Sequence, residues 1–571
     1  LEWAAVVATL TRPELAEGPV EGRTAASTGS APVPFRSYPA ERLEKIWQEV
    51  LLYQFHDILP GSSIKRVYDE SLARYAEMHR EVMDLTAAAD AALAATIDAD
   101  GMAQPVLVQN SLSWARTEWV QARGGWVQVT VPAMGYRVVD ASFDSVRHTP
   151  PDSAQDARLP RLWPVSDRAT TGDRPEPPVH AGAQGLIATE SSLENDVLRV
   201  TFDADGSISS IFDKRAQREV IAQGERANRL AVYTDLGDAW DFPMDYAEQT
   251  PRHMALVAAT PRLDGPRAIV EQVYRIGHSE LRQEIVLTAG SARLDFVSQL
   301  RWREPKTMLR TSFPVAIHAD EATFDIQFGS IRRTTHRNTT WDLARDEVAA
   351  HKWADLSQGD YGVAILNDSK YGHKIKGNVL DLNLLRSVPY PGPRHVQDAE
   401  VAPGEPHHAY TDQADHVFTY ALLPHAGDHV AGGVIRAGYE LNIPLRVIEA
   451  GIGGGAGPIS ASFLEVDAPN VIVEAVKQAE PAPELVEGPR LVEGPRLVEG
   501  SQLVEGPLDI IIRLYEAEHK AAHTRLRCGF PIRAAAEVNL LEEEPAPLAV
   551  QDNGVALDFR PFEIKTVRVT R

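Results

Sequence analysis

The sequence predicts an α+β multidomain chain, a short helical bundle followed by large antiparallel β-sandwich domains. Three observations lead there. Apolar residues between 40 and 96 recur at the helical spacing i, i+3, i+4, i+7. After Gly101 the period changes to two, in short runs separated by turn residues. Gly and Pro number 39 each, a content that suits a turn-rich β protein better than a helical one.

In the first helical pattern Leu43, Ile46, Trp47, Val50, Leu51 and Gln54 share one stripe. At about 100° per residue His56 falls nearly opposite that stripe, close to Leu52, so this helix has a second face directed away from the bundle. Pro60-Gly61 ends it, and Ser62 or Ser63 is the expected N-cap of the next helix. That helix places Ile64, Val67, Tyr68, Leu72, Tyr75, Val82 and Leu85 inward and runs out in alanines near Ala95. Strands are expected at Val106–Val108, Glu118–Val120, Trp126–Val129 and Tyr136–Val139. The Pro-, Asp- and Arg-rich stretch Thr149–Pro178 reads as a linker. Strands resume at Leu198–Phe202, turn through the hairpin dipeptide Asp205-Gly206 and return through Ile208–Ile211. Alternation continues through Ile269–Tyr274 to Glu563–Val569.

The expected division is a helical bundle at 1–100, a small β domain and linker at 101–180, a large β-sandwich at 181–450 and a C-terminal β domain at 451–571. Two inserts interrupt it. Pro13-Glu14-Leu15-Ala16-Glu17-Gly18-Pro19, inside an insert near 11–34, is echoed by Pro483-Glu484-Leu485-Val486-Glu487-Gly488-Pro489. The second copy continues as hexads through 508. A solenoid needs stacked coils with a common core, whereas each hexad offers only Leu-Val before a strand-breaking Gly. The segment 483–508 therefore reads as a solvated low-complexity insertion.

Fifty-seven Lys and Arg against 80 Asp and Glu give a net charge of −23. That balance argues against nucleic acid, which needs a basic face, and against anionic membrane surfaces. A neutral carbohydrate is compatible with it. Cys528 is the single cysteine, which rules out an intramolecular disulfide and a thiolate zinc site. No run reaches 18 apolar residues, and Leu1-Glu2-Trp3 lacks the basic start of a signal peptide. A cytoplasmic location is the resulting expectation.

His56-Asp57 leads the candidates for chemistry, because an imidazole beside a carboxylate can serve a metal or a sugar hydroxyl. The plain alternative is a helix-terminal histidine favourable to the dipole, with Asp57 as turn former. Alone the pair cannot hold a catalytic metal, which takes three protein ligands with one position open. Asp238-Ala239-Trp240-Asp241 sets two carboxylates around an aromatic face, a sugar-binding composition or a surface turn with a packed tryptophan. Thr335–Asp342 and His351-Lys352-Trp353 are candidate cleft residues or satisfied polar loops. His416, His425 and Asp428-His429 match no metal-ligand spacing. Gly451–Gly457 lacks the Lys-Ser/Thr pair of a phosphate loop and reads as a flexible loop. No nucleophile elbow is present.

Gln54-Phe55-His56-Asp57-Ile58-Leu59-Pro60-Gly61-Ser62-Ser63-Ile64 resembles the His-Asp motif of glycoside hydrolase family 38, the α-mannosidases, in its bacterial and cytosolic-type branch. Gln109–Trp114, Leu193-Glu194-Asn195, Ile211–Lys214, Thr335–Asp342, Trp353–Ser357, Leu366–Gly372 and Phe418–His425 resemble further family segments in the same order. The resemblance covers about 40–571 apart from the hexads. It implies metal-assisted, retaining hydrolysis of terminal α-mannosides in oligosaccharides. His56 would be one ligand to a divalent metal, usually zinc, and Asp57 would bind mannose hydroxyls. The family's barrel, with its nucleophile and remaining metal ligands, is not recognised here, so no catalytic residue is assigned and the chain is expected to be inactive alone. Its partner would be a separate barrel polypeptide, or copies of itself in a homo-oligomer. Tyr53 replaces a common Asn, and the hexads interrupt the last β region. The competing expectation is a non-catalytic glycan-binding β-sandwich protein.

Overall fold

The structure, a computed structural model, describes residues 38–142, 185–392, 400–479 and 509–571. The inserts at 11–34 and 483–508 and the linker Thr149–Pro178 lie outside the described residues, as does all but the end of the region before α1.

Helices α1 (Ala40–Leu52) and α2 (Lys65–Ala94) form a hairpin. Leu43 is the buried residue of α1, and the two helices are linked by ion pairs Arg42–Glu81 at 2.7 Å and Arg74–Glu49 at 2.6 Å. Three expectations fail here. Helix α1 stops at Leu52, eight residues before Pro60-Gly61, and residues from Tyr53 onward form successive tight turns. His56 is thus on a turn, and its position on a helical wheel has no bearing on where it points. The cap of α2 is Ile64, without a side-chain hydrogen bond, because Ser62 is engaged with Asp57 instead. Ile64, Leu72 and Tyr75 are exposed rather than inward, as are Trp47 and Leu51. Among the described residues each helix of the hairpin has one helical neighbour, and the remaining apolar residues of a two-sided stripe are left uncovered by it.

The far end of α2 is anchored. Leu93, Ala94 and Ile97 enter a core shared with the C-terminal strands, including Ile510, Ile512, Leu526 and Val567. Asp90 pairs with Arg446 and accepts from Gln109 Nε2 at 3.2 Å. Gly451–Gly457 is not a free loop: Gly457 donates to the Thr96 carbonyl at 2.8 Å and accepts from the Asp98 amide at 2.8 Å. A Cβ on Gly455 would lie 2.1 Å from that same Thr96 oxygen, so only glycine permits the approach.

The β part is antiparallel throughout its named strand pairs. A nine-stranded sheet runs from Ala255–Asp264 through Asp415–Ala426 to Gly329–Thr334. It faces a six-stranded sheet that includes Thr307–Pro314 and Val379–Ser387, and Phe296, Phe313, Leu380 and Phe324 fill the layer between. The predicted hairpin is present, with Leu198–Phe202 paired to Ile208–Asp213 and Gly206 at φ +81°. Pro105–Asn110 and Gly135–Asp140 share a four-stranded sheet with Arg446–Ile448 and Ser460–Ser462. The C-terminal strands form a three- and a five-stranded sheet. Two more helices, α3 (Thr340–Ala344) and α4 (Val434–Asn442), complete the described set. Helix α4 brings Val434 and Tyr439 against Trp353 and Tyr515, fastening the large sandwich to the C-terminal one. No helix among the described residues is long and apolar enough to cross a membrane.

Candidate functional site

The turn after α1 is built almost entirely from local backbone bonds. Tyr53 and Phe55 amides donate to the Glu49 and Leu52 carbonyls, Ile58 and Leu59 both return to Phe55, and Ser62 returns to Asp57 at 3.0 Å. Gly61 takes φ +90°, the left-handed region that glycine enters without strain. Two side chains then lock it. The Tyr68 hydroxyl donates toward the Asp57 and Ile58 carbonyls at 3.1 and 3.3 Å and accepts from the Ser63 amide at 3.1 Å. The Ser62 hydroxyl donates to Asp57 Oδ1 at 3.0 Å. Burial pushes the Tyr68 phenol up, so it stays a donor.

With the backbone satisfied internally, the side chains are free to face outward. The His56 side chain is 76% exposed and that of Asp57 45%. His56 Nε2 lies 3.5 Å from Asp57 Oδ2, and the Phe55 ring leans on the imidazole with centroids 4.1 Å apart. Asp57 therefore keeps acceptor capacity for hydroxyl hydrogens, and the imidazole has a nitrogen available to a ligand. These residues do not form a metal centre on their own: among the described residues no group of three or more His, Cys, Asp or Glu could hold an ion. An exposed imidazole suits zinc as a donor type, but one ligand is two short of a catalytic site.

The other candidates separate. Asp238 Oδ1 accepts from the Trp240 and Asp241 amides, both at 2.8 Å, which holds its carboxyl below the usual carboxylate range. Trp240 is 64% exposed, so the turn is real but the tryptophan is not packed. Thr339 and Asp342 form a capping box on α3, which accounts for much of the polar density of Thr335–Asp342. His351 passes its carbonyl to Asn367 Nδ2 at 2.8 Å, and buried Trp353 stacks on His429 with centroids 5.3 Å apart. His416 Nε2 meets the Asp412 carbonyl at 2.9 Å. His425 is buried against Asp355 at 2.7 Å, while Asp428 binds the Val430 and Ala431 amides. His336, Asp355, Asp428 and His429 share a polar cleft of about 490 Å³.

One polar pair escaped sequence reasoning. Asp235, fully buried, receives both Arg386 Nε at 2.7 Å and Nη2 at 3.1 Å. The partners are 151 positions apart, and neither lies in a motif whose spacing announces it.

Comparison with known proteins adds three family matches. Residues 23–93 match the α-mannosidase middle domain, 193–394 the glycosyl hydrolases family 38 C-terminal domain, and 504–567 the family 38 C-terminal β-sandwich domain. The chain belongs to glycosyl hydrolase family 38. His56 and Asp57 fall within the middle-domain match. Among relatives, the family 38 chain is 34% identical to alpha-mannosidase 2C1 of Homo sapiens over 541 residues, 92% of this chain and 45% of that protein. It is 28% identical to alpha-mannosidase G of Dictyostelium discoideum, covering 93% of this chain and 48% of that one. It spans about half the length of the curated relatives it matches. The solved α-mannosidase of Enterococcus faecalis V583 shares its fold, with a TM-score of 0.68 at 15% identity, over 93% of this chain and 64% of that one.

Proposed function

We propose that this family 38 chain supplies one wall of an α-mannosidase site for terminal α-mannosides of oligosaccharides. The observation that carries the reading is the exposed His56 imidazole beside a pinned Asp57 carboxylate, on a locked turn inside the middle-domain match. Asp57, oriented by Ser62, accepts hydroxyl hydrogens of a mannose ring. His56 offers one ligand to a divalent ion, zinc by donor type, whose other ligands come from a barrel polypeptide. That ion would orient sugar hydroxyls when bound. The retaining step needs two carboxylates about 5 Å apart across the scissile bond, and this reading assigns both to the barrel, none to this chain. What the chain itself does is bind and orient: it fixes the Asp57 oxygens before the sugar arrives, which lowers the ordering cost of binding. The buried single thiol, Cys528, suits a reducing cytoplasm.

The test is an aryl α-mannoside assay of the purified chain, with and without added zinc, alone and mixed with a family 38 barrel polypeptide. The expected result is no turnover by the chain alone and turnover on mixing that His56→Ala and Asp57→Asn abolish. Robust metal-dependent hydrolysis by the chain alone, or complementation indifferent to both substitutions, would overturn the reading.

A further inference from the structure

The loop around Trp240 shows the same design as the His56–Asp57 turn: an interior held by polar anchors and an exposed tip. Asp235 and Arg386 close its base. Arg386 also donates to the Asp241 carbonyl at 3.1 Å and lies 4.8 Å from the centroid of the Phe242 ring. Asp235 Oδ1 accepts from the Gly237 amide at 3.0 Å. A Cβ on Gly237 would sit 2.4 Å from the Asp241 oxygen, so the loop closes tightly only with glycine there. Asp238 gathers the Trp240 and Asp241 amides. All this order leaves the Trp240 ring exposed. Among the described residues neither that ring nor the Asp241 carboxylate has a hydrogen-bond, ion-pair or ring partner. A large aromatic held out by a rigid, internally satisfied loop is poised for an external ligand, since packing of the tryptophan is not what the anchors secure.

The same anchor ties this loop to the His56–Asp57 turn. Arg386 is the last residue but one of the strand Val379–Ser387, and Tyr390 follows four residues on, at most about 14 Å of extended chain. The Tyr390 ring packs on Tyr68 with centroids 5.6 Å apart, and Tyr68 is the residue whose hydroxyl locks the Asp57 backbone. One short span thus fastens both presenting loops.

We infer that Trp240 is a specificity-determining platform for a second sugar ring, the one linked to the mannose at Asp57, with the Asp241 carboxylate accepting one of its hydroxyl hydrogens. An indole face matches the apolar C–H face of a pyranose, while a carboxylate at its edge fixes the ring's rotation. The inference rests on the mannoside reading of the His56–Asp57 turn, and the experiment separates the two.

Saturation-transfer NMR and calorimetry of the whole chain, with methyl α-mannoside and with methyl α-mannobiosides, provide the test. The expected result is that Trp240→Ala weakens mannobioside binding about tenfold, the loss of one central aromatic contact, and leaves methyl α-mannoside unchanged. Trp240→Phe keeps most of the affinity, and Asp241→Asn lowers it. Leu236→Ala, an exposed apolar change on the same loop, leaves both ligands unaffected. Asp57→Asn lowers binding of both. Mannobioside binding that depends on Trp240 but not on Asp57 keeps the platform and discards the Asp57 assignment. Mannobioside binding that is absent, or indifferent to Trp240→Ala, overturns the platform even where methyl α-mannoside binding through Asp57 survives.

Discussion

Gly455→Ala tests how the helical hairpin is held to the sandwiches. The loop 451–457 lies along the end of α2 through four backbone bonds, of which Gly457 N–H to Thr96 O and Asp98 N–H to Gly457 O are both 2.8 Å. The Gly453 and Gly455 amides add longer bonds of 3.3 Å to Ala94 and Ile97. A methyl at 455 would sit 2.1 Å from the Thr96 oxygen and 2.2 Å from its carbon. Both atoms are backbone, so no side chain can swing aside and the two segments must part. Losing the two short bonds costs about 1 kcal/mol each, and forced overpacking adds about 1–3 kcal/mol. The expected local destabilisation is therefore about 3–5 kcal/mol. Because a chain of several sandwiches does not unfold in one step, the suitable assay is native-state hydrogen exchange at the Asp98 and Gly457 amides. Their protection is expected to fall by roughly two to four orders of magnitude. Gly359→Ala, whose methyl meets nothing within 4 Å, serves as control. Equal protection in the two variants would refute the claim that backbone contact here docks the hairpin.

His373 is fully buried, and burial, reinforced by the Arg310 and Arg333 charges, pulls it down to about 3. Its unfolded value is about 6.5, so between those limits the unfolded chain binds a proton that the folded chain does not. Stability should fall as pH drops from about 6.5 towards 3, by up to ~1.4 kcal/mol per unit from this group. Hydrogen-exchange protection along the strand Gly372–Lys376, corrected for the intrinsic pH dependence of exchange, should fall less steeply across that range in His373→Gln, and parallel profiles would exclude the effect. Ser62→Ala removes the hydroxyl that pins Asp57 Oδ1. It should weaken methyl α-mannoside binding less than Asp57→Asn does, by roughly the ~1 kcal/mol of one hydrogen bond. Calorimetry giving unmodified affinity would show that the pin does not orient the carboxylate.

The strands were legible because alternation is a strictly local signal, and the hairpin at Asp205-Gly206 carries its own chemistry. Asp205 Oδ1 accepts from the Ser207 amide at 3.0 Å, and a Cβ on Gly206 would strike the Tyr274 hydroxyl at 2.3 Å. The end of α1 was not legible. Apolar residues continue past Leu52 in helical spacing, and what bends the chain is Ser62 and Tyr68, five and eleven positions beyond Asp57. Periodicity also assigned Leu72 and Ile64 to a buried face, yet it reports only which residues share a side, not what covers it. The His56-Asp57 pair was legible as a motif. Its orientation was inferred from a helical wheel, and the exposure that the structure gives it has a different origin, a turn.

The two presenting loops show why sequence reading finds the tips and misses the bases. A tip residue such as His56, Asp57 or Trp240 stands out because its side chain sits in a short run of chemically distinctive neighbours, an imidazole beside a carboxylate or an indole between two carboxylates. A base residue such as Tyr68, Asp235 or Arg386 is an ordinary polar side chain until folding brings its partner across as many as 151 positions. Once buried, it cannot be removed without stranding that partner, a loss of about 3–5 kcal/mol for a buried ion pair. Anchors of this kind therefore constrain where the tips point more firmly than the tips' own contacts do. An exposed imidazole, carboxylate and indole held that way arrive preorganised, and on the proposed mannoside reading that preorganisation is what would let a few hydrogen bonds and one ring face discriminate between sugars.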